Sequence, residues 1–418
     1  MNQFLDILAV ISVIIFCFSI IKGLEYALLI GILIKALVDT AWDQKYLGLS
    51  LIDIHSVVFL LYGYSLIIRR NLFLLMDKKL THLWVIAHLG ILIGLIINQN
   101  DGFEALARML YFPLGLVLIP YFLLYCDEEI AETLIKFLLY ASLFSSLISV
   151  FQFIGIIPYE FLHASKGLVR SNGFYHDMVT SRMYVVQGLL ALSYIKLSSR
   201  FEISKILFWS FLLIFIVSGY TLFSKALIGI FIAAAFLLLI ATKQNVYKIV
   251  FGVLILFLVL TVNSSIFDTT SQLFIKEIEF NNGDLNDSGQ LFSGRGMLWE
   301  DYLKSYESAS SIQQIVGSGE NTGRTHNEFL RILILSGAIG LFTYVLFMIR
   351  IIAKSFTQYL QNTPLKFISL FCTFILLIDC FSVVWGLYPF YIITIIGFFQ
   401  TTQLSENLII TDLSLIHI

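Results

Sequence analysis

Residues 325–349 read THNEFLRILILSGAIGLFTYVLFMI, a polar entry followed by an apolar run whose one charge is Arg331. About 20 apolar residues in helical form cross the hydrocarbon of a bilayer. In lipid the backbone must satisfy its own hydrogen bonds, so a run of this length predicts a transmembrane helix. Similar runs of roughly 16 to 25 residues recur near 7–21, 24–38, 51–68, 82–97, 108–125, 132–155, 179–197, 206–222, 226–241, 247–264, 366–384 and 388–402. They are far longer than the alternating segments of a membrane barrel. Composition agrees: 58% of the residues are hydrophobic and 13% charged, with a mean hydropathy of +0.89, too apolar for a soluble core with a polar coat. The expected fold is an all-α integral membrane protein, a polytopic bundle of about 12 transmembrane helices forming a single domain over 1–418. No internal repeat or low-complexity linker divides it.

Basic residues cluster at Arg69, Arg70, Lys78 and Lys79, at Lys196, Arg200 and Lys205, at Lys243 and Lys248, and at Arg350, Lys354 and Lys366. The positive-inside rule makes these connections cytoplasmic. The segments 98–107, 156–178, 218–225 and 265–325 then fall outside. The N-terminus is expected inside, with the first stretch not crossing twice. The first run lacks a basic leader and a cleavage site, and reads as a retained span.

A formal charge of −2 carries no nucleic-acid signature. Cys17, Cys126, Cys372 and Cys380 have neither paired nor metal-ligand spacing and read as packing residues. Asp284 and Asp287, in the turn-rich stretch 281–289, read as solvated acids, so no metal and no cofactor is expected.

Loop 265–325 is the one long polar connection, and long loops in compact proteins are commonly functional. Within it SGRGMLWEDYLKSYESA (293–309) places Trp299, Leu303 and Tyr306 on one face of an amphipathic helix, with Arg295 in its entry turn. Thr325 and Glu328 have the spacing of a capping box, with His326 in the first helical turn. A helix N-terminus disfavours imidazolium and leaves a neutral base. It also offers free N–H groups to a phosphate, and Arg324 adds a permanent cation. Loop 156–178 contributes His163, Lys166, Arg170 and His176, and Lys225 and Arg108 stand at external helix ends. Snorkelling anchors and anionic headgroups account for such residues singly. A shared diphosphate accounts for them together, since arginine grips phosphate with two parallel hydrogen bonds.

The motifs SNGFYHD, SKALIG, SGRGMLW and THNEFLRILILSGAIG (within 165–345) resemble the O-antigen ligase and polymerase superfamily of bacterial surface-polysaccharide enzymes. The resemblance implies an inner-membrane protein whose large loop and active site face the periplasm. It implies glycan transfer from an undecaprenyl-diphosphate-linked oligosaccharide to a sugar hydroxyl, without metal or nucleotide. His326 is implied as the catalytic base, with Glu328 beside it; Arg170, Lys225, Arg295, Arg324, Asn327 and Trp299 are implied substrate-binding residues. The chain departs from the family in holding Ser224-Lys225-Ala226 where an arginine usually stands, which keeps the charge but loses the bidentate fork. Implied partners are membrane lipids, a chain-length regulator and a flippase. The expected activity is that of a polysaccharide polymerase acting on a lipid-linked acceptor repeat unit. A ligase to lipid A-core is the alternative within the class, and a flippase for the same lipid-linked oligosaccharide the alternative outside it.

Overall fold

The computed structural model describes the chain apart from residues 1, 47, 98, 160–163, 166–167, 172, 176, 199, 242–267, 269–270, 273, 285–290, 323, 361–364 and 416–418. The expected span 247–264, the cations His163, Lys166, His176, Lys243 and Lys248, and Asp287 lie outside the described residues. The helices coincide with the remaining apolar runs: α1 Asn2–Ser19, α2 Leu24–Val38, α3 Leu51–Arg70, α4 Lys78–Ala87, α5 Gly90–Ile97, α6 Gln99–Pro120, α7 Glu128–Phe153, α8 Met178–Ser198, α9 Lys205–Thr221 and α10 Lys225–Ala241. In the long loop come α11 Ile275–Asn281, α12 Leu291–Ser308 and α13 Ser311–Val316, followed by α14 Glu328–Tyr359, α15 Lys366–Cys380 and α16 Pro389–Leu415. Two two-residue hairpins, Lys45–Tyr46 with Leu49–Ser50 and Ala164–Ser165 with Leu168–Val169, are the strands among the described residues.

The architecture is that of an all-α membrane protein. Five helices among the described residues are long and apolar enough to span: Gln3–Lys22, Leu51–Arg70, Ala105–Tyr125, Glu128–Phe153 and Glu328–Tyr359. Helices α4 and α5, bent by 42°, form a sixth if taken as one. At 15 to 17 residues, α2, α9, α10 and α15 fall short of a full span on length.

Side-chain bonds sort the helix ends into two layers. At one end Arg70 donates to Glu25 (2.8 Å), which also accepts from Tyr121 (3.1 Å); Gln400 donates to the Leu75 carbonyl (2.9 Å), and Lys354 pairs with Asp77 (2.5 Å). At the other, Tyr184 donates to Asp39 (2.6 Å), Arg182 to Asp379 (2.7 Å) and Tyr388 to Asp177 (3.2 Å). The basic connections that carry Arg70, Arg200 and Lys354 belong to the first layer. Gln44, which follows α2, donates to Asp6 near the start of α1 (3.3 Å), so α1 and α2 run antiparallel. The turn at Gly23, with φ +121°, reverses the chain between the two helices.

Helix breaks are matched by tertiary donors. Pro113 inside α6 has no N–H for the Met109 carbonyl, and the indole Nε1 of Trp84 donates to that oxygen instead (3.1 Å). Trp84 packs on Phe112 and Trp385, with centroids 4.7 and 5.3 Å away, in the core between α4, α6 and the loop before α16.

The second break shapes the site. Gly337 lies inside α14 with φ 66° and ψ −163°. The carbonyl of Ile334 accepts from Ser318 N (2.9 Å) and that of Leu335 from Gly319 N (3.2 Å), so the loop after α13 is stitched into the kink. A Cβ on Gly337 would lie 2.4 Å from the Ile315 carbonyl oxygen. Gly337→Ala therefore combines a left-handed backbone penalty with a collision. It should destabilise by more than about 1 kcal/mol and displace segment 318–327, read as a lower unfolding temperature in detergent and faster proteolysis of that loop.

Candidate functional site

His326 stands between this stitched loop and α14, with φ +48°, a conformation uncommon outside glycine. Its neighbours fix it there. Thr325 is fully buried and its hydroxyl donates to the Asn327 carbonyl (3.1 Å); its own carbonyl accepts from the Trp299 indole (2.7 Å). Asn327 Oδ1 accepts from Leu330 N (3.1 Å) and is the N-cap of α14. The capping box expected of Thr325 and Glu328 is thus corrected: the cap lies two residues later, and His326 precedes the helix as a residue that keeps solvent access.

Glu328 is buried and committed elsewhere. One carboxylate oxygen accepts from Arg331 Nε (3.1 Å) and Nη2 (2.5 Å), while the other has no partner among the described residues. Arg331 also donates to Asn321 (2.6 Å) and lies 2.9 Å from His88 Nε2. A guanidinium cannot accept, so His88 Nε2 does, leaving the proton on Nδ1, which donates to the Trp84 carbonyl (2.8 Å). The implied catalytic role of Glu328 beside His326 gives way to a structural one: it joins the start of α14 to the loop and to the α4–α5 break.

Two guanidiniums act on the imidazole, and a third, Arg170, acts on one of them. Desolvation, then the charges of Arg295 and Arg182, lower the pKa of His326 below its ordinary value, against an upward pull from Asp177. Burial, then Arg182 and Arg170, push the Arg295 guanidinium down to about 10, still a full cation at neutral pH. Burial also lowers Arg170, whose Nη1 donates to the weak acceptor Met178 Sδ (2.9 Å) and whose Nε has no partner among the described residues. Arg182 donates to Asp379 (2.7 Å) and Ser382 (3.4 Å), with its Nε likewise unpartnered.

The scaffold of the cluster comes from three loops. Gln152 bonds both backbone groups of Gly173 (2.9 Å each), and Ser171 N donates to the Thr221 carbonyl (3.2 Å), which anchors Arg170. Asp177 caps α8 by accepting from Thr180 N (2.8 Å), and Asp379 holds Arg182 near the helix entry. On α12 the inward face is Arg295, Trp299, Tyr302 and Tyr306. Tyr302 bonds Thr322 (3.0 Å) and Tyr306 donates to the Gln314 carbonyl (2.7 Å). Leu303, expected on that face, is 43% exposed, because the face follows i, i+4, i+7, i+11 from Arg295. Trp299 braces the His326 turn through the Thr325 carbonyl.

The remaining implied residues part from the cluster. Lys225 pairs with Glu277 of α11 (2.5 Å) and sits over the Phe274 ring, and its charge is not among those acting on Arg295 or His326. Asn327 is used as the cap, and Arg324 is exposed beside His326. Arg182 is the member that sequence reasoning missed. The signal was a lone arginine in the first turn of an otherwise apolar span.

A cavity of about 710 Å³ adjoins the cluster, lined by Thr180 and Tyr388 on the near side and by Lys35, Asp39, Arg108 and Tyr184 farther in. Among the described residues no group of three His, Cys, Asp or Glu side chains could hold a metal ion. Cys372 and Cys380 are buried, and Cys17 and Cys126 are partly so. No protein-family model matches the chain, and no characterised protein matches it by sequence.

Proposed function

We propose that this chain is a polysaccharide polymerase that moves a glycan from undecaprenyl diphosphate onto a lipid-linked repeat unit at the periplasmic face of the bacterial inner membrane. The observation that carries the reading is a linked set of cations at the helix ends opposite the basic connections: Arg295 and Arg182 act on His326, and Arg182 and Arg170 act on Arg295. Like charges held together with unpartnered N–H groups raise one another's energy, and a diphosphate would relieve that. The positive-inside rule puts the basic end in the cytoplasm and the cluster outside. On that face the bundle would cross about 12 times.

In the proposed step the acceptor hydroxyl oxygen attacks the anomeric carbon, and the bond from that carbon to the diphosphate oxygen breaks. The electron pair leaves with undecaprenyl diphosphate, whose growing charge the guanidiniums stabilise. The hydroxyl proton passes to the neutral imidazole of His326, which later releases it to water. A single displacement of this kind inverts the anomeric configuration.

Purified protein given lipid-linked repeat units should produce a ladder of longer glycans. Product formed only on addition of lipid A-core would replace polymerase with ligase, and neither product would leave a flippase. Arg295→Ala should lower kcat/KM for the donor by about 10²-fold or more. Arg295→Lys should lose less, because it keeps the charge and loses the fork. Equal activity in all three proteins would remove Arg295 from the diphosphate site.

A further inference from the structure

The cavity beside the cluster carries chemistry that the cations do not explain. Its walls come from α2, α3, α6, α8 and the start of α16, and their functional groups are Lys35, Asp39, Arg108, Tyr111, Tyr184 and Tyr388. Lys35 and Asp39 form a buried ion pair on successive turns of α2, and the Tyr184 hydroxyl closes on the same carboxylate (2.6 Å). Lys35 also lies 5.2 Å from the centroid of Phe390, another wall residue. Two hydrogen-bonded links join this chamber to the cluster. Tyr391, in the cavity wall, donates to Asp379, whose other oxygen holds Arg182. Tyr388 donates to Asp177 (3.2 Å), the acid whose charge acts on His326.

We infer that this cavity is a saccharide-binding subsite that holds the sugar units of the carrier-linked substrate next to His326, an inference that rests on the polymerase reading for the identity of its ligand. Tyrosines give a sugar both apolar faces for its C–H groups and hydroxyls for its polar edge. A fixed carboxylate, an ammonium and a guanidinium in a largely apolar chamber are the few placed polar groups that orient a polyhydroxylated ligand. A prenyl tail is the competing occupant of an apolar cavity in a membrane protein. It would lay hydrocarbon against an ammonium, a carboxylate and a guanidinium, at a cost that hydroxyls avoid. The chamber also lies under the hairpin Lys45–Ser50, at the end of the bundle where the cluster is.

The test uses carrier-linked repeat units extracted from host membranes and cleaved with mild acid, so that the oligosaccharide carries no phosphate. This oligosaccharide is titrated calorimetrically into the full chain in detergent. Saturable binding is expected. Ala107→Trp, which fills the chamber, and Val57→Trp, at its exposed rim, should weaken binding about tenfold or more. Weakening in either tryptophan variant supports the subsite. Absence of saturable binding, or binding indifferent to both tryptophans, overturns it. The titration involves no turnover, so a protein that binds the sugar yet builds no ladder overturns the polymerase reading alone. Ladders from a protein whose chamber binds no sugar overturn the subsite alone.

Discussion

Alanine at position 326 is expected to abolish polymer formation, with a loss of about 10²- to 10⁴-fold, while leaving expression and membrane insertion intact. The turn is fixed by Thr325, Asn327 and Trp299. Alanine there should relieve rather than damage the fold, apart from the positive φ it must still adopt. The pH profile gives a second readout. Desolvation, Arg295 and Arg182 hold the imidazole below its ordinary value, so it stays neutral, and able to accept a proton, down to a more acid pH than an ordinary histidine. Below its lowered pKa it is protonated and activity falls. The acid limb of kcat/KM should therefore lie under the usual histidine range, and Arg295→Ala, by removing one positive neighbour, should move that limb upward. Retained turnover in His326→Ala, or an acid limb that ignores Arg295, would remove His326 as the base.

The second large effect is expected at Arg182, where structure and chemistry overlap. Arg182 and Asp379 are both buried, with side chains 2% and 0% exposed. Arg182→Ala leaves Asp379 without its cation in a low-dielectric interior, a loss of about 3–5 kcal/mol. Removing both charges together with apolar residues of similar size, as in Arg182→Met with Asp379→Leu, should restore most of that stability, because the uncompensated charge is gone. Activity should remain lost in the double variant, since the guanidinium that acts on Arg295 and His326 is still missing. Thermal unfolding in detergent and the ladder assay, run on both proteins, separate the two roles. A double variant that recovers stability and activity together would make Arg182 a purely structural residue.

These two residues differ in how they could be found. His326 and Arg295 are legible in the sequence because each interrupts the polar-loop pattern next to an apolar run, at a helix entry. Arg182 sits inside a span and looks like an isolated burial problem until Asp379, 197 residues away, is placed against it. Glu328 misleads for the opposite reason. Three residues after Thr325 it has the spacing of a cap, yet Arg331, one turn on, takes its carboxylate inward. Lys225 misleads likewise, because its partner Glu277 comes from the long loop and nothing local signals the pairing.

The sequence alone determined the solvent of this protein and the positions of its helices. Uninterrupted apolar runs can satisfy their backbone in lipid only as helices, and that constraint acts locally. Tertiary structure decided everything that depends on which helix ends meet: the antiparallel pairing of α1 with α2, the loop stitched into the kink at Gly337, and the placing of Arg182 and Arg295 against His326 with Arg170 behind Arg295. The physical reason is that a buried charge or a freed carbonyl must find its partner wherever the packed chain supplies one, and sequence distance places no limit on where that is.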